Sequence, residues 1–502
     1  MSSKCHVAHA LNGLMLTITL VGITPHVVAQ TQPAATGTLS YESPMSGSAA
    51  ATGASALSAI TAPQSPFLGS IPSGKATSGV VPVSLKDAIE RGLRYNLGLL
   101  LDEQSTRAQR GARWQALSHL LPHLTTGTSE TDQQINLEAL GFPPSAAQQF
   151  HFPIVVGPFS TFDARAFLSA PLIDLQHWRS EHAASDDVRA SEYTERDARD
   201  LVVLVVGNEY LVANAGVARI KAVQAEVQTA QALYRQAVDR FHAGLSPEID
   251  MLRAHVELQT RQQQLIAARN DYATEKLNLA RVIGLPSGQR FTLTTPTPYE
   301  PLTGVTLEKS LTDAYENRPD YKAALAQVRA AQAQRRAVLA ERLPSVTLNS
   351  NFGDIGLTPG NSHETFLVSG TLHIPVFQGG RVRGELLQAD ANLRQKEEQL
   401  SNLKAQIDYD VRTALMNLQT AADQVRVARS NIILAQQTLT QARDRFAAGV
   451  ADNIEVVEAQ EAVASANDAY ISSLYQHNLA KVALARAVGV AERAVLQYLG
   501  GK

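Results

Sequence analysis

VRTALMNLQTAADQVRVARSNIILAQQTLTQARDRF occupies residues 411–446 and keeps a seven-residue clock. Val411, Leu418, Val425, Ile432, Leu439 and Phe446 form one row. Ala414, Ala421, Ala428, Ala435 and Ala442 form a second row beside it. A large row next to an alanine row is an a/d seam, and the alanines let two helix backbones approach closely. A 3.5-residue repeat held this long implies left-handed supercoiling against partner helices. Working backwards, the stretch from Gly380 to Phe446 contains no proline and no internal glycine except Gly384. About 66 helical residues at ~1.5 Å each reach roughly 100 Å, too long for a compact domain.

The chain of 502 residues is aromatic-poor (6%) and modestly charged (18%), so small aliphatic side chains do much of the packing. A net charge of −3 without a basic stripe gives no case for nucleic acid. The single cysteine, Cys5, leaves no disulfide or cysteine–metal framework. Lys4 followed by the apolar run from Leu11 to Ile23 reads as a secretory signal, with Val27 and Ala29 ahead of a cut before Gln30. A short membrane anchor is the alternative, but a run of 13 residues falls well under the ~20 that span a bilayer. Residues 30–81 are rich in Ala, Ser, Thr, Gly and Pro and read as a disordered low-complexity arm.

Beyond the arm the chain repeats itself. Thr306 and the Leu343-Pro344 stop follow Ser84 and Leu121-Pro122 at an offset of 222. Arg240-Phe241-His242-Ala243-Gly244 aligns with Arg445-Phe446-Ala447-Ala448-Gly449 at an offset of 205, and the register holds to Gly284/Gly489. A tandem duplication doubles each local inference. The first repeat, 82–284, reads as a helix opening at Ser84 and running past Trp114, a hairpin (123–174), a long helix (175–240) and a return helix (247–283). A connector, 285–305, holds a possible short strand at Phe291-Thr292-Leu293. The second repeat, 306–492, has its hairpin at 345–377, long helix at 380–446 and return helix at 453–488, with a tail at 493–502. Val206, Ala213, Ile220, Val227, Tyr234 and Phe241 carry the seam into the first repeat.

In the second hairpin Val346, Leu348 and Phe352 alternate with Thr347, Asn349 and Asn351. Phe366, Val368, Leu372, Ile374 and Val376 alternate with Thr365, Ser369, Thr371 and His373. Such alternation suits a barrel strand facing lipid, and equally a soluble hairpin packed on a core. Pro122 to Pro171 spans 49 residues against 31 for Pro344 to Pro375, so the first hairpin has the longer loop at its tip. Four strands cannot close in lipid, which tolerates no open edge. Two copies give eight strands, which side chains fill, and three give twelve, which leave a lumen. The expected fold class is mainly α with a small transmembrane β part, a trimeric α/β-barrel tube with twelve strands.

The duplicated Arg-Phe-x-x-Gly turns, the segments Ile249–Ala254 and Ile454–Ala459, the Leu-Pro stops and the junction Ile374-Pro375-Val376-Phe377-Gln378-Gly379-Gly380 together resemble the TolC family of outer-membrane efflux channels. The resemblance covers about residues 82–492. It implies a homotrimer in outer-membrane lipid, with a large periplasmic portion and no cofactor. It also implies docking to a periplasmic adaptor and an inner-membrane pump of RND or ABC type. Ala243-Gly244-Leu245 and Ala448-Gly449-Val450 would be the adaptor-docking tips. Glu455 and Glu458 match the acidic residues that line the closed entrance, giving six carboxylates around a threefold axis. Read without the resemblance, two glutamates three apart solvate one helix face. Asp250 matches an aspartate tied to a basic residue in the second turn; Ala451 stands there here, so that latch is absent or built differently.

Other sites are weak. His363-Glu364 lacks a second histidine at helical spacing, and no phosphate loop or nucleophile elbow appears. Tyr210, Tyr234 and Tyr272 read as packing residues. Besides a passive channel, the sequence admits a soluble periplasmic coiled-coil adaptor or scaffold, and more distantly an enzyme on a helical frame. An adaptor has no use for a quartet of lipid-facing strands.

Overall fold

The computed structural model describes residues 65–143, 145, 153–296, 299–302 and 304–499. Residues 1–29, expected to be a signal segment and including Cys5, and most of the arm lie outside the described residues. The arm's far end needs correction. Pro66–Leu68 makes a 3-10 turn whose Phe67 and Leu68 pack on the main core, and Val81–Val83 is strand β1. Large apolar side chains return to the sequence at Phe67, and with them enough burial to order the backbone.

Ser84 and Asp87 cap α1 (Leu85–Tyr95) reciprocally, as a capping box does. The helix expected to continue past Leu100 instead stops at Asn96, which has φ −65° and ψ 130°, and restarts as α2 (Leu97–Ser118). The fully buried Asn96 side chain accepts from the Gly98 and Leu99 amides and donates to the Phe67 carbonyl at 2.6 Å. It thereby caps a new helix at the point where the old one ends. Strand β2 (His123–Asn136), β3 (Val155–Ile173), α3 (Leu175–His242) and α4 (Glu248–Val282) complete the first repeat, and β4 (Phe291–Leu293) lies in the connector. Strand β4 pairs in parallel with β1, so the connector returns to the start of the repeat.

In the second repeat, α5 (Leu307–Asn317) breaks at Arg318, 222 residues after Asn96, and α6 (Pro319–Ala340) follows. Here Pro319 makes the break, since the residue before a proline is pushed out of the helical region. Then come β5 (Ser345–Thr358), β6 (Asn361–His373), α7 (Arg381–Ala447) and α8 (Asn453–Ala487). The expected tail holds α9 (Ala491–Tyr498), with Val495 and Leu499 in the core. Each long helix rises ~100 Å.

All four long strands form one antiparallel sheet in the order β2-β3-β5-β6. The register puts Leu124, Leu168, Leu348, Phe352, Phe366, Val368 and Leu372 on one face. The opposite face carries Arg165, Ser169, Asn349 and Asn351, with Phe167 and Leu367 as apolar exceptions. Residues 137–154 separate β2 from β3, whereas Pro359-Gly360 alone turns β5 into β6, so the longer loop is where the sequence placed it.

The main core surrounds α3 at Val202–Val206, where the helix is apolar on every side because α1, α4, α8 and α9 enclose it. A second cluster joins Ala314, Ile407, Val411, Ala414 and Leu418 to Leu484 and Val488. A third, near the tips, gathers Leu233, Leu439, Phe446, Val456 and Ala459. The α7 seam is buried except at Ile432 and Ala435, which are only partly covered. On α3 the expected large row is half-buried from Ile220 to Phe241. The row fully buried there is Gly216, Val223, Ala230 and Ala237, which matches the alanine row of α7 at the offset of 205. Small residues win the interior because they permit the closest helix approach.

Candidate functional site

Two turns end the long helices, and their backbones are superimposable in pattern. Gly244 has φ +68°; its amide donates to the Phe241 carbonyl at 2.9 Å, and the Leu245 amide to Arg240 at 2.8 Å. Gly449 has φ +73°, with donation from Gly449 to Phe446 and from Val450 to Arg445, both at 3.1 Å. These are Schellman motifs, which close a helix and leave the next side chain outside. Leu245 and Val450 are accordingly each 69% exposed, two apolar residues at the outermost points of the turns. Asp452 then caps α8 by accepting from the Ile454 and Glu455 amides.

The side chains around the turns are not duplicated. From the first turn, Arg240 Nη1 donates to the Phe446 carbonyl at 3.1 Å, and the guanidinium lies 4.8 Å over the Phe446 ring. Its counterpart Arg445 instead pairs with Glu455, Nη2 to Oε1 at 3.2 Å. Glu458 lies one turn further along α8, exposed, and meets no cation at ion-pairing distance among the described residues. Asp250 is buried and lies 3.7 Å from Arg253 on its own helix. The link between the hairpins at this level is Asn453, whose Nδ2 donates to the Asp250 carbonyl at 3.0 Å. Glu455 and Glu458 thus share a helix face, while Asp250 lies on the neighbouring hairpin and is joined to theirs through its backbone carbonyl.

Sequence reading missed Arg240, Arg445 and Asn453. The only signal for the first two was their presence in the repeated Arg-Phe pair. It also missed an apolar groove of about 360 Å³ between α4 and α8, lined by Ile249, Leu252, Val256, Ile454 and Val457, with Glu458 on its rim. Of the tyrosines, Tyr210 is buried and bonded through its hydroxyl to Thr295, and Tyr234 stacks on His255. Among the described residues no cluster of His, Cys, Asp and Glu is arranged to hold a metal ion.

The chain thus joins two long helical hairpins to one four-stranded sheet whose edge strands, β2 and β6, each pair on one side only. The family model described as outer membrane efflux protein matches residues 96–285 and 311–490. The pyoverdine export outer membrane protein OpmQ of Pseudomonas putida is 26% identical over 340 residues, covering 66% of this chain and 71% of that one. Escherichia coli outer membrane protein TolC is 20% identical over 397 residues, 75% of this chain and 76% of its own. Among solved structures, the outer membrane protein VceC of Vibrio cholerae superimposes with TM-score 0.68 at 20% identity, covering 81% of this chain and 96% of that one. The Campylobacter jejuni CmeC outer membrane channel gives 0.69 at 18%, covering 81% and 86%.

The chain belongs to the outer membrane efflux protein family. It is an outer-membrane efflux channel protein, and the family match removes the soluble adaptor reading.

Proposed function

We propose that three copies of the chain close the sheet into a twelve-stranded barrel and the helical hairpins into a periplasmic conduit. The observation that carries this is the pair of free edges: β2 and β6 each pair on one side only. Lipid tolerates no such edge, and three copies remove all of them by pairing β6 of one with β2 of the next. The Phe352–Phe366 face would meet lipid and the Arg165–Asn351 face would line the lumen. Residues 1–29 would supply the export signal.

In this assembly the tips 243–245 and 448–450 dock a periplasmic adaptor, which couples the tube to an inner-membrane pump of RND or ABC type. The chain conducts passively, without cofactor or catalysis. Three copies each of Glu455 and Glu458 surround the entrance, with Asp250 holding the first hairpin beside them. Relatives are named for export of pyoverdine and of toluene, which supports a small-molecule cargo handed over by the pump. Native mass spectrometry of the detergent-extracted protein should give three copies, and planar bilayers should show discrete conductance steps. A monomer that opens no conductance would overturn this reading.

A further inference from the structure

Behind the tips, where the α7 seam loosens at Ile432 and Ala435, a cavity of about 360 Å³ lies between α3, α4, α7 and α8. Ala222, Ala225 and Ala230 make its α3 wall and give it room. That volume is on the order of ten waters, and falls in the range of small-molecule pockets. Gln460 of α8 lines it, is 6% exposed, and has no hydrogen-bond partner for either Oε1 or Nε2. A buried amide left wholly unpaired is rare, and calls for an occupant that both donates and accepts.

The charged lining is split between two walls. Arg443 of α7 has no carboxylate at ion-pairing distance among the described residues, and burial alone lowers its pKa. On the other side, Arg261 is 3% exposed and meets Glu257 at 2.7 Å, Glu226 at 3.5 Å and Glu461. Glu461 is exposed outside the cavity, so the wall itself sets one guanidinium against two carboxylates, Glu226 and Glu257. Burial pushes the Glu226 carboxyl above its usual range, even with Arg261 beside it and Asn467 donating to it. The cavity therefore offers an unspent cation, an underpaired anion and an unpaired amide.

We propose that this cavity is a binding site for a small zwitterion. The ligand's ammonium faces Glu226 and donates to Gln460 Oε1, and its carboxylate faces Arg443 and accepts from Gln460 Nε2. A singly charged molecule would leave one wall unmatched, and a hydrocarbon would leave Gln460 unpaired. Occupancy spans both hairpins of one chain.

Calorimetric titration of the detergent-purified full chain with glycine, 4-aminobutanoate and 6-aminohexanoate tests it, because the series varies the separation of the two charges. Hexanoate and hexylamine are the singly charged controls. At least one zwitterion should bind saturably and about tenfold or more tighter than either control. Ala222→Leu, which narrows the cavity and removes no polar group, should sharply weaken that binding. Gln460→Met should weaken binding while raising the melting temperature of the empty protein, a sign opposite to that of a purely structural glutamine. Failure of every zwitterion to exceed the controls, or binding undiminished in Ala222→Leu, would mean a solvent-filled gap and would overturn the proposal.

Discussion

Arg240 and Phe446 join the two turns of the chain: the guanidinium sits 4.8 Å over the ring and donates to the Phe446 carbonyl at 3.1 Å. It thus serves as a C-terminal cap for a helix in the other repeat, bonding a carbonyl that ends α7. The duplicated sequence does not give duplicated contacts, because Arg445 turns to Glu455 instead. One arginine links the hairpins and the other braces the start of α8.

Arg240→Ala should therefore loosen the second turn rather than the first. Losing a charge-assisted bond to a carbonyl and the ring contact amounts to about 1–3 kcal/mol. Arg240→Lys should recover only part, since an ammonium cannot stack and fork at once. Hydrogen exchange over residues 444–450 is the measurement. Protection there should fall more than over 239–245, and equal loss in both turns would reject the link.

Substituting the turn glycines separates backbone strain from crowding. A Cβ on Gly449 would meet nothing within 4 Å, so Gly449→Ala carries only the left-handed penalty of about 1–2 kcal/mol. Gly489, at φ +77°, stands at the matching end of α8, but a Cβ there would lie 2.6 Å from the Arg318 backbone. Gly489→Ala should lower the melting temperature clearly more than Gly449→Ala. The comparison is read by scanning calorimetry of the two variants side by side.

The helical rods, both turns and the strand quartet were legible because each rests on a periodicity or on a glycine whose requirement is local. Val411, Val425 and Phe446 were placed in the interior by spacing alone, and they are buried. What spacing could not show was which of two heptad rows packs innermost on α3, since Ile220 and Val223 both recur every seven residues. That choice depends on how closely α4 and α8 approach. The break at Asn96 was hidden for the same reason: its cap is completed by Phe67, a residue 29 positions away. Arg240, Asn453 and Gln460 owe their roles to partners, or to a lack of partners, across the hairpins. No window of sequence contains that information.

Two buried groups should give opposite pH dependences. Asp197 faces Arg486 at 2.6 Å, with Arg318, Asp320 and Asp200 nearby, yet burial raises its carboxyl from 3.8 to about 6. The folded chain then holds this proton more tightly than the unfolded one, so its contribution to stability falls as pH rises from 4 to 6. The change is on the order of 2–3 kcal/mol. His477 is 1% exposed, stacked near Tyr299, and burial together with Lys481 lowers it from 6.5 to about 4. The unfolded chain binds that proton first, so stability falls as pH drops from 6.5 towards 4. Melting curves across this window should show Asp197→Asn more acid-labile than the parent and His477→Gln less so. Parallel curves for all three would reject both assignments.

The two carboxylates proposed for the entrance are not equivalent, and this orders their variants. Glu455 shares its charge with Arg445 at 3.2 Å, both side chains being half-exposed, a pairing of at most about 1 kcal/mol. Glu458 has no such partner. If three copies converge on one axis, a divalent cation entering the ring meets three unneutralised Glu458 carboxylates and three partly neutralised Glu455 carboxylates. Glu458→Gln should then weaken divalent-cation block in planar bilayers more than Glu455→Gln does. Arg445→Gln should strengthen block by releasing Glu455, and that gain should vanish in the Arg445→Gln, Glu455→Gln double variant. The dependence on Arg445 distinguishes a ring tuned by this ion pair from one in which the two glutamates merely solvate the helix, where all four proteins would block alike.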